Sequence, residues 1–141
     1  MSDHQKHLIL RVVFIIAGVY DVVLGLTLLF GRDIMVGLFN VVPPSPYLIA
    51  QTCGLFLVTV GYLLLYAANA PETYAFVGLG SAFVRLSFGV LVSLSIMTGN
   101  PPDVLYILFG LTDSLTGLLL LSALVVSHVG KEAFWPAKSS T

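Results

Sequence analysis

The chain has 141 residues, of which 57% are hydrophobic and only 9% are charged. Soluble domains carry about 25% charged residues, so this composition excludes an ordinary water-soluble protein. The net charge of −1 offers no electrostatic attraction for nucleic acid, which is therefore not an expected partner. Cys53 is the only cysteine, and this excludes an internal disulfide and a cysteine-rich metal site.

Four apolar runs account for most of the chain, and each is long enough to cross a bilayer as a helix of about 20 residues. They predict a single domain over residues 1–141, an all-α integral membrane protein built as a four-helix bundle. The predicted spans are residues 8–30, 47–68, 73–98 and 103–128. No small-residue cleavage site follows the first run, so we expect a retained span and not a signal peptide.

The connection between the first two spans contains a further apolar stretch at residues 33–42, which is too short to span a membrane. We expect a short helix that lies in the interface. Pro43, Pro44 and Pro46 should end it, because proline lacks the amide donor that a helix needs.

The distribution of basic residues predicts how the bundle is oriented. Four spans place both termini on one side of the membrane, together with Lys6, Arg11, Lys131 and Lys138. The opposite side holds only Arg32. Since basic residues concentrate on the cytoplasmic side, both termini are predicted to be cytoplasmic, in an inner or plasma membrane.

Three charged residues lie near the middle of the spans. Arg85 lies near the middle of the third span, where a lone charge costs about 2.5–3.5 kcal/mol on insertion scales. Asp21 and Asp113 lie near the middle of the first and fourth spans. At a rise of about 1.5 Å per residue, all three fall close to the membrane midplane. Because intramembrane charges normally pair inside a bundle, the sequence predicts an Asp21–Arg85–Asp113 cluster.

Three interpretations of this cluster stay open. It can be a buried polar clip that fixes helix packing. It can be a proton or ligand site, in which the second carboxyl titrates because two like charges cannot share a dry site cheaply. In the third interpretation, one aspartate faces a partner subunit.

Small residues recur at spacings that place them on one helix face, and such faces let membrane helices approach closely. The glycines predicted to pack helices are Gly18, Gly25, Gly54, Gly61, Gly89 and Gly117. The face formed by Gly54 and Gly61 is also a candidate docking surface for another protein. In addition, the first and last spans share the pattern G-x-x-D-x-x-x-G-L-x-L-L, which raises the hypothesis of an inverted internal repeat.

Other polar residues give weaker signals. Gln51 and Tyr62 are candidates to line a small-molecule pocket, or simply to bond to nearby backbone. His4, His7 and His128 are predicted to be solvated and not to bind metal, and no histidine lies inside a span to ligate haem. The pattern contains no phosphate-binding loop and no Ser-His-Asp set, so no catalytic residue, metal or cofactor is predicted from the residues.

Several short motifs and single residues carry a resemblance to known proteins: Gly18-Val-Tyr-Asp21 with Gly25, Pro43-Pro44, Gln51-Thr-Cys-Gly54, Gly61-Tyr62, Ala67-Ala-Asn-Ala-Pro71, Gly78, Arg85, the turn at Gly99, and Asp113. Over about residues 10–125 they resemble the small four-span bacterial membrane proteins grouped as DoxX-like. Members of that group often carry a lysine near the position of Arg85 and an amide near that of Asp21. This chain therefore keeps a cation in the third span but departs from them in its charge balance.

The resemblance implies a bacterial inner-membrane protein. Most DoxX-like proteins have no established activity. Some are membrane subunits linked to quinone-coupled sulfur oxidation, and others are linked to oxidative-stress assemblies. What this implies for the present chain is a redox context, with quinone as the cofactor to consider.

Three functions follow as competing hypotheses. The first is a non-catalytic subunit or helper that binds other membrane proteins, or itself, and lipid. The second is a quinone- or lipid-binding redox subunit that uses Asp21, Arg85 and Asp113 as a proton relay. The third is a small proton-coupled transporter that acts as a dimer, with Asp21 as the coupling acid, although Arg85 would neutralise that acid.

Overall fold

The computed structural model describes residues 3–39, 47–100, 102 and 104–127. Within these ranges lie α1 (Asp3–Phe30), α2 (Arg32–Phe39), α3 (Leu48–Ala67), α4 (Ala75–Met97) and α5 (Val104–Val126). Helices α1, α3, α4 and α5 are long and apolar enough to cross a membrane, whereas α2 is a short helix of 8 residues. The chain is thus an all-α, multi-pass membrane protein whose four long helices fit a bundle.

The helix boundaries follow the predicted spans closely, except at the N-terminus. Helix α1 begins at Asp3, five residues before the predicted span, so residues 3–7 are helical too. Hydrophobicity reports which part of a helix can enter lipid, while the backbone hydrogen bonds continue into the interface. The three prolines after α2, the predicted span ends at residues 103 and 128, and the C-terminal tail lie outside the described residues.

The bundle consists of two antiparallel helix pairs. Helix α1 packs most extensively on α3, and α4 packs most extensively on α5. Contacts of α1 with α5, and of α3 with α4, are fewer and close the ring in the order α1, α3, α4, α5. Helices α1 and α4 therefore lie diagonally across the bundle, so a bond between them must cross its interior.

The hydrophobic core occupies the half of the bundle near the α3–α4 turn. Its fully buried large side chains include Leu10, Phe14, Leu64 and Leu120. The Phe14 ring reaches across to α4, where a Cβ built on Gly78 would lie 2.5 Å from it. Only glycine leaves room for the ring at this position, so Gly78 allows the two diagonal helices to close around an aromatic side chain.

The outer surface of the spanning helices carries large apolar side chains. Phe56, Phe83 and Leu115, for example, each expose about two thirds or more of their surface. In a water-soluble protein such continuous apolar surface would mark an interface or an aggregation liability. On helices of this length it is the surface expected to contact lipid.

Candidate functional site

Arg85 lies buried in the middle of α4 and bonds to a carboxylate on each of two other helices. Its Nη2 donates to Asp21 Oδ1 on α1 at 2.5 Å, and its Nη1 donates to Asp113 Oδ1 on α5 at 2.8 Å. Arg85 is 4% exposed and Asp21 is 1% exposed. The structure therefore brings the three charged residues singled out in the sequence into one charge cluster, defined by Asp21, Arg85 and Asp113.

Further hydrogen bonds fix the guanidinium within the bundle. Arg85 Nε donates to Ser81 Oγ, one turn earlier on α4, at 3.2 Å. Arg85 Nη2 also lies 3.5 Å from the Ala17 carbonyl oxygen on α1. A guanidinium has five donors in a planar fork, so it can serve several acceptors at once. In this arrangement one side chain joins α1, α4 and α5.

Tyr20 covers the cluster on the side of α1 and α5. The centroid of its ring lies 5.3 Å from Arg85 Cζ, within the range of a cation–π contact. Its hydroxyl lies 3.0 Å from Thr112 Oγ1 on α5. Thr112 Oγ1 also lies 3.0 Å from the Leu108 carbonyl oxygen, and either hydroxyl can be the donor in the Tyr20–Thr112 pair.

The cluster leaves one buried oxygen without a partner. Asp21 Oδ2 is inaccessible and accepts no hydrogen bond from any of the described residues. With both carboxyls ionised, the cluster would carry one net negative charge, which is costly at this depth. A single proton on either acid would make it neutral, and Asp21 Oδ2 is a buried atom that could hold that proton.

Glycines allow α1 and α3 to cross closely on both sides of Asp21. A Cβ on Gly18 would lie 2.9 Å from the Gly61 carbonyl oxygen, and one on Gly25 would lie 2.6 Å from that of Gly54. A Cβ on Gly61 would also meet Asp21 Cβ at 2.9 Å. The glycines thus let the acid sit at the centre of the α1–α3 crossing.

The second pair of helices uses small residues in the same way. A Cβ on Gly117 of α5 would lie 3.2 Å from both the Ala82 carbonyl oxygen and Arg85 Cβ on α4. A Cβ on Gly89 would collide with the Ser114 hydroxyl on α5. Close packing of α4 on α5 therefore fixes the position of Arg85 Cβ, from which the side chain extends.

The prediction that Gly54 and Gly61 form a docking face for another protein is wrong. Both are buried, and the space beside each is filled by α1 of the same chain. Spacing of seven residues shows that two glycines share a face, but it does not show which helix covers that face.

Gln51 and Tyr62 do not come together in a pocket. Gln51 Nε2 lies 3.4 Å from the Leu29 carbonyl oxygen, which corresponds to the alternative of bonding to nearby backbone. Tyr62 is 63% exposed on the outer surface of α3, so the structure places it at the lipid-facing surface and corrects its assignment to a pocket. An apolar concave surface lies elsewhere, between α1 and α5, and neither residue lines it.

The His7 side chain lies close to a carboxylate. Its Nδ1 lies 3.3 Å from Glu72 Oε1 in the α3–α4 turn, which links the start of α1 to that turn. Among the described residues there is no group of three His, Cys, Asp or Glu side chains that could hold a metal ion. His128 lies outside the described residues.

The shared motif of the first and last spans places two acids on one cation. Asp21 and Asp113 both accept from Arg85, and each acid is bracketed by glycines that face the partner helix of its own pair. However, α1 is the first helix of its pair, whereas α5 is the second helix of its pair. Duplication of a whole helix pair would match α1 to α4, so it does not explain this motif.

Three further residues belong to the site and were not predicted as site residues from the sequence. Ser81, Tyr20 and Thr112 each read as ordinary residues of a membrane helix. The spacing of Ser81 and Arg85, four residues apart, is the one pattern that could have identified a partner. Comparisons with protein-family models, with curated proteins and with solved structures returned no match to the chain.

Proposed function

We propose that the protein is a non-catalytic subunit or helper of a larger membrane assembly. The observation that carries this proposal is that Arg85 directs its guanidinium to Asp21, Asp113 and Ser81 of the same bundle. The three charges that are most costly to bury in a membrane therefore join helices of the bundle to one another. The apolar outer surface is then what remains to contact lipid and other membrane proteins.

Purification from native membranes in a mild detergent tests this proposal. We expect a second membrane protein, or a second copy of the chain, to copurify in fixed stoichiometry through size exclusion. Arg85→Lys, which keeps the buried cation, should retain the same partner. A sample that runs as a monomer with no copurifying protein in both cases would contradict the subunit role.

A second candidate is a quinone- or lipid-binding redox subunit of the DoxX-like kind, with the charge cluster as a proton relay. The unpartnered Asp21 Oδ2 favours it, because this atom can hold a proton in a cluster that contains a second carboxyl, Asp113. The same purified sample separates the two candidates. A quinone bound in stoichiometric amount, without a protein partner, would favour the relay and argue against the helper.

We further propose that both termini lie in the cytoplasm of a bacterial cell, with the α1–α3 connection outside. The support is the excess of basic residues near the two termini over the single Arg32 in that connection. In a bacterial expression host, a fluorescent protein fused after Thr141 should fluoresce, and alkaline phosphatase fused there should be inactive. The reverse pair of results would invert the topology.

A further inference from the structure

A long apolar groove runs along α1 on the side that faces α5. Its walls are formed by Val19, Val23 and Thr27 on α1 and by Leu105 and Phe109 on α5, and Ile34 of α2 lies at one end. This α1–α5 groove encloses about 720 Å³. Ligand sites in proteins typically enclose roughly 300–1,000 Å³ and are often found between the helices of bundles.

The dimensions of the groove match one hydrocarbon chain. Its lining extends along α1 from Ile15 to Leu28, which at about 1.5 Å per residue is roughly 20 Å. The hydrocarbon depth of one leaflet is roughly half of the 30 Å bilayer core. A single extended chain that enters beside α2 would therefore reach past Tyr20 near the middle of the bundle.

The polar atoms of the lining decide which part of a lipid fits. The Thr27 hydroxyl donates to the Val23 carbonyl oxygen at 2.9 Å, and the Tyr20 hydroxyl is hydrogen-bonded to the Thr112 hydroxyl. Both hydroxyls thus already have a hydrogen-bond partner, and the other lining residues are apolar. A quinone ring or a carboxylate placed in the groove would lack donors, which makes its burial costly. An acyl chain needs none.

We propose that the α1–α5 groove binds one acyl chain of a phospholipid, whose head group stays outside the groove at the level of α2. The chain packs on Tyr20, and Tyr20 lies over Arg85. A bound lipid therefore covers the charge cluster on the side where α1 and α5 part. This inference is independent of the subunit role, since a chain can be held with or without a protein partner.

Native mass spectrometry of the full chain tests the proposal. The protein is delipidated by repeated detergent exchange and then titrated with 1-palmitoyl-2-oleoyl-phosphatidylethanolamine. We expect the parent protein to retain one lipid. Val23→Trp should fill the groove and weaken retention about tenfold or more. Val90→Trp is the matched control, because Val90 on α4 is 57% exposed and Val23 is 59% exposed.

A second variant and a folding check keep the result interpretable. Val19→Trp blocks the groove one turn away and should act like Val23→Trp, and helicity should match the parent in all variants. Equal retention in the groove variants, the control and the parent would overturn the proposal. So would the absence of any retained lipid, or a quinone retained in place of the phospholipid.

Discussion

Replacing Arg85 with leucine should destabilise the folded bundle by about 3–5 kcal/mol, the usual cost of removing one partner from a buried ion pair. Asp21 and Asp113 would lose their shared donor while α1 and α5 still hold them at the same site. Asp21 Oδ2 already has no partner among the described residues, so the variant would leave both oxygens of that acid unsatisfied. Unfolding in detergent by steric trapping or by SDS titration would measure the loss.

Two further variants separate the charge from its geometry. Arg85→Lys keeps a cation but replaces the planar fork with a point charge, so it cannot bond both acids and Ser81 in the same way. We expect an intermediate loss. Arg85→Leu combined with Asp21→Asn and Asp113→Asn removes all three charges, and it should recover most of the stability that Arg85→Leu loses.

The combined variant also shows what the cluster contributes. Apolar or neutral replacement of a whole buried ionic group is often tolerated, whereas removal of one member is not. If Arg85→Leu unfolds at the same point as the parent protein, the ion pairs do not hold the bundle together. In that case the interpretation of the cluster as a packing clip fails.

The contact between the three charged residues could be predicted from the sequence because charge is rare in a membrane span. Arg85, Asp21 and Asp113 stand out against apolar neighbours, and helix geometry converts their positions into depth. The roles of Tyr20 and Thr112 could not be predicted in this way. Hydroxyl residues are common in membrane helices, where they often bond to their own backbone, as Thr112 also does with Leu108.

The predictions that failed elsewhere in the site depended on which helices are neighbours in the bundle. Periodicity places Gly54 and Gly61 on one face, but whether α1 or another protein covers that face depends on the order of helices around the ring. The α1–α5 groove was not predicted either, because it too depends on how the helices are arranged. Its lining is apolar like any lipid-facing surface, so only the separation of the two helices, which no single span encodes, turns that surface into a cavity.

The crossing of α1 on α3 should be highly sensitive to an added methyl group. Gly25→Ala would place a Cβ 2.6 Å from the Gly54 carbonyl oxygen and 2.8 Å from the Val58 backbone nitrogen. Both atoms belong to the backbone, so no side chain can rotate away and the helices must move apart. Overpacking of this kind costs about 1–3 kcal/mol, although alanine is the better helix former.

Gly80→Ala on α4 is the matched control, because a Cβ on Gly80 would meet nothing within 4 Å. It should leave the stability unchanged or raise it by up to about 1 kcal/mol, because alanine is the better helix former. Gly25→Ala and Gly54→Ala act on the same crossing, so the double variant should lose less than the sum of the two single losses. Equal melting behaviour of Gly25→Ala and Gly80→Ala would mean that α1 and α3 do not approach this closely in the membrane.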